Sequence, residues 1–335
     1  VADGAGEQDI GQVITDLIVF REQLIVFSDK TIKRFSGDSI SDFSLQSISE
    51  DLGAVDSDTA KEVGGDVMFL GPDGLRLLSA TDRIGDFGLA VVSKPIQSEL
   101  TNVINTATSF NALVVREKSQ YRLFGYNGNY NDLSALGILG TQLATQSGSG
   151  FSWSELRGIN VHVSFSEYEN DQEDIFFAND DGFVYVLESG NSFDGSNISA
   201  TFRSPYLPIE DPRVRKTFYK AVVYTDPEGA IDIDFSLKLD FNRVNTGLIQ
   251  PNVINLSSDQ GNIYYFDDID VLYSDSISSG SFGYATFVGT TTESIFETPL
   301  IGSGFTVAIE VSSDSTNPPY SLDAVTLEYI LNSRR

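Results

Sequence analysis

Apart from carboxylates, this sequence offers few side chains that could carry out catalysis. It has one histidine, His162, within the strand-like run Asn160–Phe165, and no cysteine. A thiol nucleophile and a cysteine-ligated metal are therefore excluded, and one chain cannot supply several histidines to a metal ion. A Ser-His-Asp triad would depend on His162, but Ser and Asp are so common here that no partner is singled out. We interpret His162 as a structural residue on a strand face.

Adjacent carboxylates could serve a glycosidase, which needs two acids facing one sugar. They include Glu50–Asp51, Glu173–Asp174, Asp180–Asp181 and Asp267–Asp268. No spacing selects one pair, and Asn179–Gly182 is better read as a turn than as a calcium loop, because the alternating ligands and closing Glu are missing. The sequence therefore predicts no catalytic residue, no metal site, no cofactor and no enzymatic activity.

Basic residues are sparse, which makes one cluster of them noticeable. The chain has 48 acidic and 21 basic residues, and its formal net charge is −27. Four of the bases lie close together after two prolines: Arg213, Arg215, Lys216 and Lys220. We predict that this basic cluster is an assembly contact with an acidic neighbouring subunit; a solvated turn is the alternative.

The negative charge also bears on possible partners. Binding DNA phosphates or an anionic membrane takes clustered Lys and Arg, so this balance argues against both, whereas a negative wall lets DNA pass without sticking. The longest apolar runs, such as Leu17–Phe20 and Leu24–Phe27, are four residues long. Because a membrane helix needs about 20 residues, no membrane insertion is expected. Residues Val1–Asp9 lack the basic and apolar plan of a signal peptide.

The elements that must position these side chains are predicted to be β-strands. Residues 232–240 alternate strictly between polar and apolar, and residues 306–311 and 324–330 follow the same pattern, which is typical of half-buried antiparallel strands. One helix is predicted, from Lys94 to Thr106, where Pro95 suits the first turn and an apolar stripe follows. The chain is therefore predicted to be all-β, with one helix.

A hairpin pattern of apolar strand, polar turn and mixed strand recurs in the first half. Its anchor residues are Val26, Phe69, Val114 and Phe176, which are separated by 43, 45 and 62 residues. A period near 40 to 50 residues is typical of propeller blades; a simple meander with coincidental spacing is the alternative. The longer third spacing leaves room for Gly137–Gly150, which we predict to be a loop. A closed ring needs a further blade, from residues before Val1 or from segments without an evident pattern.

A composition break at Glu188–Asn197, where Gly, Ser and Asn cluster, predicts two domains. Residues 1–189 would form a propeller-like repeat of antiparallel sheets, incomplete at its N-terminus if opening strands precede Val1. Residues 190–335 have longer alternating strands and no hairpin repeat, which indicates a β-sandwich. In that sandwich, Phe235, Leu237 and Leu239 should share one buried face.

Several segments resemble tailed-phage virion proteins with propeller cores. They are Leu17–Phe35, Glu62–Arg76, Ser119–Phe124 and the ending, Leu327–Ile330 with Arg334–Arg335. The nearest group is the nozzle, or packaged-DNA stabilisation, proteins at the head-to-tail junction of short-tailed phages. The resemblance covers most of the chain, although the chain is shorter than typical members.

This resemblance implies a structural protein of the virion. It implies a homo-hexameric ring below the adaptor and portal, near tail fibres or spikes, that lines or closes the DNA exit channel and lets genomic DNA pass without sequence-specific binding. It supplies no catalytic residues. A receptor- or carbohydrate-binding tail propeller, with or without hydrolytic activity, is the alternative. Because sugar sites use exposed aromatic platforms, the position of Trp153, the one tryptophan, helps to separate the two.

Overall fold

The computed structural model describes most of the chain and shows an all-β protein, which confirms the predicted fold class. The residues it describes are 8–37, 39, 42–84, 91–129, 137–145, 148–169, 172–242, 250–258, 263–266, 284–287 and 295–332. The chain divides into two compact units, Val1–Ser189 (unit 1) and Gly190–Arg335 (unit 2).

The described residues of unit 1 form four antiparallel sheets that follow one another along the chain. Sheet 1 is formed by β1 (Ile14–Phe20), β2 (Gln23–Ser28), β3 (Ile32–Ser36) and β4 (Ser44–Ser49). Sheet 2 is formed by β5 (Lys61–Val63), β6 (Asp66–Gly71) and β7 (Gly74–Leu77). Sheet 3 is formed by β8 (Ser109–Val115), β9 (Gln120–Tyr126), β10 (Gly137–Thr145) and β11 (Gly148–Leu156). Sheet 4 is formed by β12 (Val163–Glu169), β13 (Gln172–Ala178) and β14 (Val184–Leu187).

Where the structure describes the stretch between sheets 2 and 3, it contains two helices. A 3₁₀ turn at Lys94–Ile96 leads into α2 (Gln97–Thr106), with Pro95 in the turn, so the predicted helix is confirmed. The shorter α1 (Leu78–Ile84) directly follows β7 and was not predicted. Its first residue, Leu78, is buried between sheets 1 and 2. Apolar residues therefore continue from β7 into α1, and the sequence does not show where the strand ends and the helix begins.

Sheet 2 packs against sheet 1 on one face and against sheet 3 on the other. In β6, Val67 and Phe69 join the core shared with sheet 1, where the rings of Phe69 and Phe27 are 5.0 Å apart. The alternate residues Met68 and Leu70 join the core shared with sheet 3. A strand covered on both faces has no polar side, which explains why this run is continuously apolar rather than alternating.

Sheet 4 continues the same stacking. Its first strand, β12, lies beside β8, the first strand of sheet 3, and β8 also lies beside β5 of sheet 2. The Ser166 hydroxyl donates to the Val114 carbonyl at 2.8 Å, and the Ser164 hydroxyl donates to the Asn111 side chain. Consecutive antiparallel meanders joined through their first strands form the propeller-like arrangement expected of unit 1.

One of the four repeat anchors lies on a strand that is not equivalent to the others. Val26, Phe69 and Phe176 lie on the second strands of sheets 1, 2 and 4, but Val114 lies on the first strand of sheet 3. Successive hairpins of a meander share the same pattern of apolar and polar residues. The pattern therefore predicts a hairpin but not the position of that hairpin within its sheet.

The prediction of a loop at Gly137–Gly150 is wrong, because the described residues in this range, 137–145 and 148–150, form β10 and the start of β11. The glycines make room for aromatic rings on the sheet. A Cβ on Gly140 would lie 2.5 Å from the Trp153 ring, and one on Gly137 would lie 2.9 Å from the Phe124 ring. Glycine in a strand thus marks close packing here rather than a loop.

Unit 2 contains nine strands and a 3₁₀ turn among its described residues. The strands are β15 (Ile198–Arg203), β16 (Lys216–Pro227), β17 (Ile231–Leu239), β18 (Ile254–Ser258), β19 (Ile263–Phe266), β20 (Tyr284–Phe287), β21 (Ile295–Gly304), β22 (Val307–Ser315) and β23 (Tyr320–Leu331). Sheet 5 has the order β15-β22-β17-β18, sheet 6 has the order β21-β16-β23, and β19 pairs with β20. The 3₁₀ turn is Asp240–Asn242.

Sheets 5 and 6 pack as a β-sandwich around one core. Phe235, Leu237 and Leu239 of β17 are fully buried, as predicted from the alternation at residues 232–240. They pack with side chains of sheet 6 that include Phe218 and Phe296. The predicted inward face of this strand is therefore confirmed.

Candidate functional site

The outermost sheets of unit 1, sheets 1 and 4, each have an apolar face turned away from the neighbouring sheet, and among the described residues each of these faces is partly exposed. Strand register places on the outer face of sheet 4 Val163, Phe165, Phe176, Val184 and Val186. Strand register places on the outer face of sheet 1 Leu17, Val19, Leu24, Val26, Phe35 and Leu45. Exposure is highest at Val19 (69 %) and Val184 (70 %), whereas Val26, on the same face of sheet 1 as Val19, is buried. Two contiguous apolar faces of this kind are typical of interaction surfaces.

The sequences of these outermost strands are those of strands covered on both faces. Leu17–Phe20 and Leu24–Phe27 are continuously apolar, like the central strand β6. In sheet 1, Phe27 and Ile25 face the core shared with sheet 2, while Leu17 and Val19 face outward. These runs predicted the strands but not the exposed apolar surface. The signal for that surface was the lack of alternation between apolar and polar residues.

The two outer faces carry opposite charges. Glu167 and Asp174 lie directly opposite each other on the outer face of sheet 4. Neither makes an ion pair within the part of the chain that the structure describes. The outer face of sheet 1 carries Lys33, whose ammonium group donates to the Ile10 carbonyl at 3.0 Å. Two like charges opposite each other on a sheet are unfavourable, so a cation brought to them by a partner would be stabilising.

The predicted basic cluster is not a single exposed patch. Lys216 is 1 % exposed, and its ammonium group donates to the main-chain carbonyls of Pro208, Asp211 and Phe305 at 2.7, 2.7 and 3.3 Å. A residue buried in this way cannot be part of an assembly contact, which corrects the prediction for Lys216. Its role is to tie the loop before β16 to the loop before β22.

The other three members of the cluster lie closer to the surface. Arg213 is exposed and pairs with Asp211 at 3.1 Å. Arg215 is partly buried and donates to the Ser303 carbonyl at 3.3 Å. Lys220 pairs with Glu297 at 2.7 Å. An assembly contact by Arg213, Arg215 and Lys220 stays a prediction, although their charges already have partners within the chain.

His162 directly precedes β12 and contacts two residues of unit 1. Its imidazole stacks on the Tyr126 ring, with centroids 4.4 Å apart and an interplanar angle of 15°. His162 Nδ1 is 3.0 Å from Asp180 Oδ1, and the Tyr126 hydroxyl donates to Asp180 Oδ2 at 2.6 Å. The hydrogen bond to Asp180 raises the pKa of Tyr126 to about 12, and the same bond holds the pKa of the Asp180 carboxyl below its ordinary value.

Replacing Asp180 with asparagine is expected to lower the pKa of Tyr126 from about 12 towards its ordinary value, because the anionic acceptor is lost. The raised pKa of Tyr126 stabilises the folded state below about pH 10, and this contribution is lost as the pH rises through about 12. Ultraviolet difference titration of tyrosine at alkaline pH measures this change. The control Asp51→Asn alters an exposed carboxylate and should leave the titration unchanged; an unshifted curve in Asp180→Asn would contradict the assignment.

Where the structure describes them, the adjacent carboxylates singled out in the sequence lie on a strand or in loops. Glu173 and Asp174 are consecutive in β13 and therefore point to opposite faces of sheet 4. Glu173 is buried and accepts hydrogen bonds from two main-chain N–H groups in the turn between β8 and β9 of sheet 3, at Arg116 (3.0 Å) and Glu117 (2.9 Å). Its role there is to join sheets 3 and 4.

Two of the other pairs lie in loops. Asp180 and Asp181 lie in the turn between β13 and β14, where Asp181 accepts the hydroxyl hydrogen of Tyr185 at 2.7 Å. Glu50–Asp51 is exposed, and Asp267–Asp268 lies outside the described residues, as do the terminal Arg334–Arg335. Among the described residues, no group of three or more His, Asp or Glu side chains could hold a metal ion.

Trp153 does not form an exposed platform for a sugar. It packs against the core between sheets 2 and 3, and its indole N–H donates to the Val92 carbonyl at 3.2 Å. The Phe151 ring stacks beside it at 5.6 Å. Separately, none of the described helices is long and apolar enough to cross a membrane.

Comparisons with known proteins give little similarity. No protein-family model matches the chain, and no curated protein matches it. Among solved structures, it is similar to two variants of an exo-β-1,3-galactanase from Phanerochaete chrysosporium, each with β-1,3-galactotriose. The first has a TM-score of 0.22 and 9 % identity, and the match covers 96 % of this chain and 84 % of the galactanase chain. The second has a TM-score of 0.20 and 8 % identity, and the match covers 97 % of this chain and 99 % of the galactanase chain. Similarities this weak establish neither the fold nor the function.

Proposed function

We propose that this protein is a structural subunit of a tailed-phage virion that forms a ring at the head-to-tail junction and lines or closes the DNA exit channel. The observation that carries the proposal is the pair of partly exposed apolar faces on sheets 1 and 4. They equip unit 1 for assembly, and no comparable arrangement for catalysis is found among the described side chains. The sequence resemblance to nozzle proteins supports the position in the virion.

The stacking of sheets within unit 1 supports assembly between copies. Sheets 2 and 3 are each covered on both faces by neighbouring elements of unit 1. The outer faces of sheets 1 and 4 have no neighbouring sheet within the described part of unit 1. In repeat architectures, terminal repeats need a polar outer face or a partner. The outer face of sheet 4, with Glu167 and Asp174, matches the outer face of sheet 1, with Lys33, in both apolar character and charge. A contact between two different faces generates a closed ring when its rotation closes.

The net charge supports a channel through which DNA slides. At −27 per chain, six copies would carry about −160. Such a field repels the DNA backbone unless cations screen it, and few phosphates would be neutralised by the protein. The duplex would therefore pass without sequence-specific binding. The partners in this proposal are further copies of the chain and the adaptor, portal and tail proteins of the virion.

A charged substitution on either outer face is expected to abolish assembly. We expect the purified wild type to form a hexameric ring, and Val19→Asp (sheet 1) and Val186→Asp (sheet 4) to be monomers, because each buries an unpaired carboxylate in the contact. If the contact joins the two different faces, mixing the two variants restores one intact interface. The mixture should therefore form dimers and nothing larger. Light scattering after size exclusion and native mass spectrometry measure these masses.

The matched control is Val253→Asp, which places the same charge on an exposed valine of unit 2 and should leave the ring intact. Three results would contradict the proposal. They are a monomeric wild type, two variants that assemble like the wild type, and a Val19→Asp variant that still dimerises by pairing sheet 4 with sheet 4.

A further inference from the structure

The outer face of sheet 4 carries its two carboxylates at one end, beside a pair of aromatic rings. Glu167 of β12 lies opposite Asp174 of β13. Two residues away on each strand, Phe165 lies opposite Phe176, and their rings are stacked with centroids 5.1 Å apart. The face therefore presents an acidic pair and an aromatic pair that are separated by about 7 Å, the spacing of alternate residues in a strand.

The outer face of sheet 1 has the same order of groups with the opposite charge. On β3, Lys33 is followed two residues later by Phe35. Strand register places them opposite Val26 and Leu24, which belong to the outer face. The separation between Lys33 and Phe35 is again that of alternate residues in a strand. When the two faces meet, Lys33 can reach the acidic pair while Phe35 reaches the stacked rings.

The ammonium group of Lys33 has a neutral partner that a carboxylate could replace. It donates to the main-chain carbonyl of Ile10 at 3.0 Å. It makes no ion pair with any Asp or Glu side chain that the structure describes. Exchanging the carbonyl for the two carboxylates of sheet 4 adds the attraction between opposite charges. The exchange also relieves the unfavourable pairing of Glu167 with Asp174.

We propose that Lys33 of one copy pairs with Glu167 and Asp174 of the next copy, and that Phe35 packs on the stacked rings of sheet 4 in the same contact. This inference rests on the proposed ring and adds the residues that fix the register of its subunit contact. The pairing also excludes contacts between like faces, because sheet 4 against sheet 4 would bring four carboxylates together. The occupant of each face is thus the other face of a second copy.

Charge reversal on the two faces tests this pairing. Lys33→Glu leaves three acids at the contact, and Glu167→Lys combined with Asp174→Lys leaves three bases there. Each of these two variants alone should associate at least about tenfold more weakly than the wild type, because like charges meet. Their equimolar mixture should regain wild-type association, since every contact in an alternating ring joins acids to bases. Native mass spectrometry with one variant isotope-labelled should show equal numbers of the two in each ring.

The control variants make the same charge changes away from the two faces. Lys30→Glu lies in the exposed turn after β2, and Asp314→Lys combined with Asp323→Lys lies on exposed sites of unit 2. Both should change association by less than about twofold. Urea unfolding should show that all variants are folded. If Lys33→Glu proves unfolded, Lys33→Gln replaces it, and its mixture with the doubly reversed variant should still associate more tightly than the doubly reversed variant alone.

The possible failures distinguish this pairing from the ring itself. A monomeric wild type would overturn the ring, and the pairing with it. A wild-type ring whose charge-reversed variants associate as tightly as the wild type would leave the ring standing and overturn the pairing alone. So would a mixture that associates no better than either of its components.

Discussion

Replacing Lys216 with methionine is expected to destabilise unit 2 by about 3 kcal/mol, because a buried charge-assisted hydrogen-bond network is lost. Methionine fits the space of the aliphatic stem but cannot donate to the carbonyls of Pro208, Asp211 and Phe305. These carbonyls would then lack their shared donor. Urea unfolding followed by far-ultraviolet circular dichroism, together with hydrogen exchange of the β16 and β17 amides, measures the loss.

The control for this experiment is Arg213→Ser in the same segment. Arg213 is exposed and pairs with its near neighbour Asp211, so its loss should leave stability nearly unchanged. Equal stability of the Lys216→Met variant and the wild type would show that the three carbonyls find other donors. An assembly test that replaces all four bases together would confound association with folding, because Lys216 belongs to the fold.

Replacing Glu173 with glutamine is expected to destabilise unit 1 by about 2 kcal/mol. The carboxylate accepts from the N–H groups of both Arg116 and Glu117, one on each oxygen. An amide of the same shape can accept only one of these hydrogen bonds and directs an NH₂ group at the other donor. The change should shift the urea midpoint reported by the fluorescence of Trp153, which lies in the neighbouring sheet 3.

Asp174→Asn provides the matched control, since it makes the same chemical change one residue along the same strand. Asp174 faces outward opposite Glu167, so removing its charge should leave stability unchanged or raise it slightly. If Glu173→Gln were as stable as the wild type, the hydrogen bonds to sheet 3 would not be what joins sheets 3 and 4.

Features set by local periodicity could be predicted from the sequence. The alternation at residues 232–240 predicted both a strand and its buried face, because a strand exposes every second side chain to the same environment. The apolar stripe after Pro95 predicted the helix, because apolar residues that recur about every 3.6 residues lie on one face of a helix. The hairpins of unit 1 were also found, since polar turns interrupt their apolar strands.

Features that depend on what lies across a sheet were decided by tertiary structure. The glycines at residues 137 and 140 indicated a loop, but in the folded chain they lie in a strand, where the rings of Phe124 and Trp153 occupy the space that a side chain would need. Lys216 looked like a surface base, but the folded chain brings three carbonyls to its ammonium group. The apolar run Leu17–Phe20 specified a strand with two apolar faces. Only the stacking of sheets decides which face is covered, because burial depends on partners that are distant in sequence.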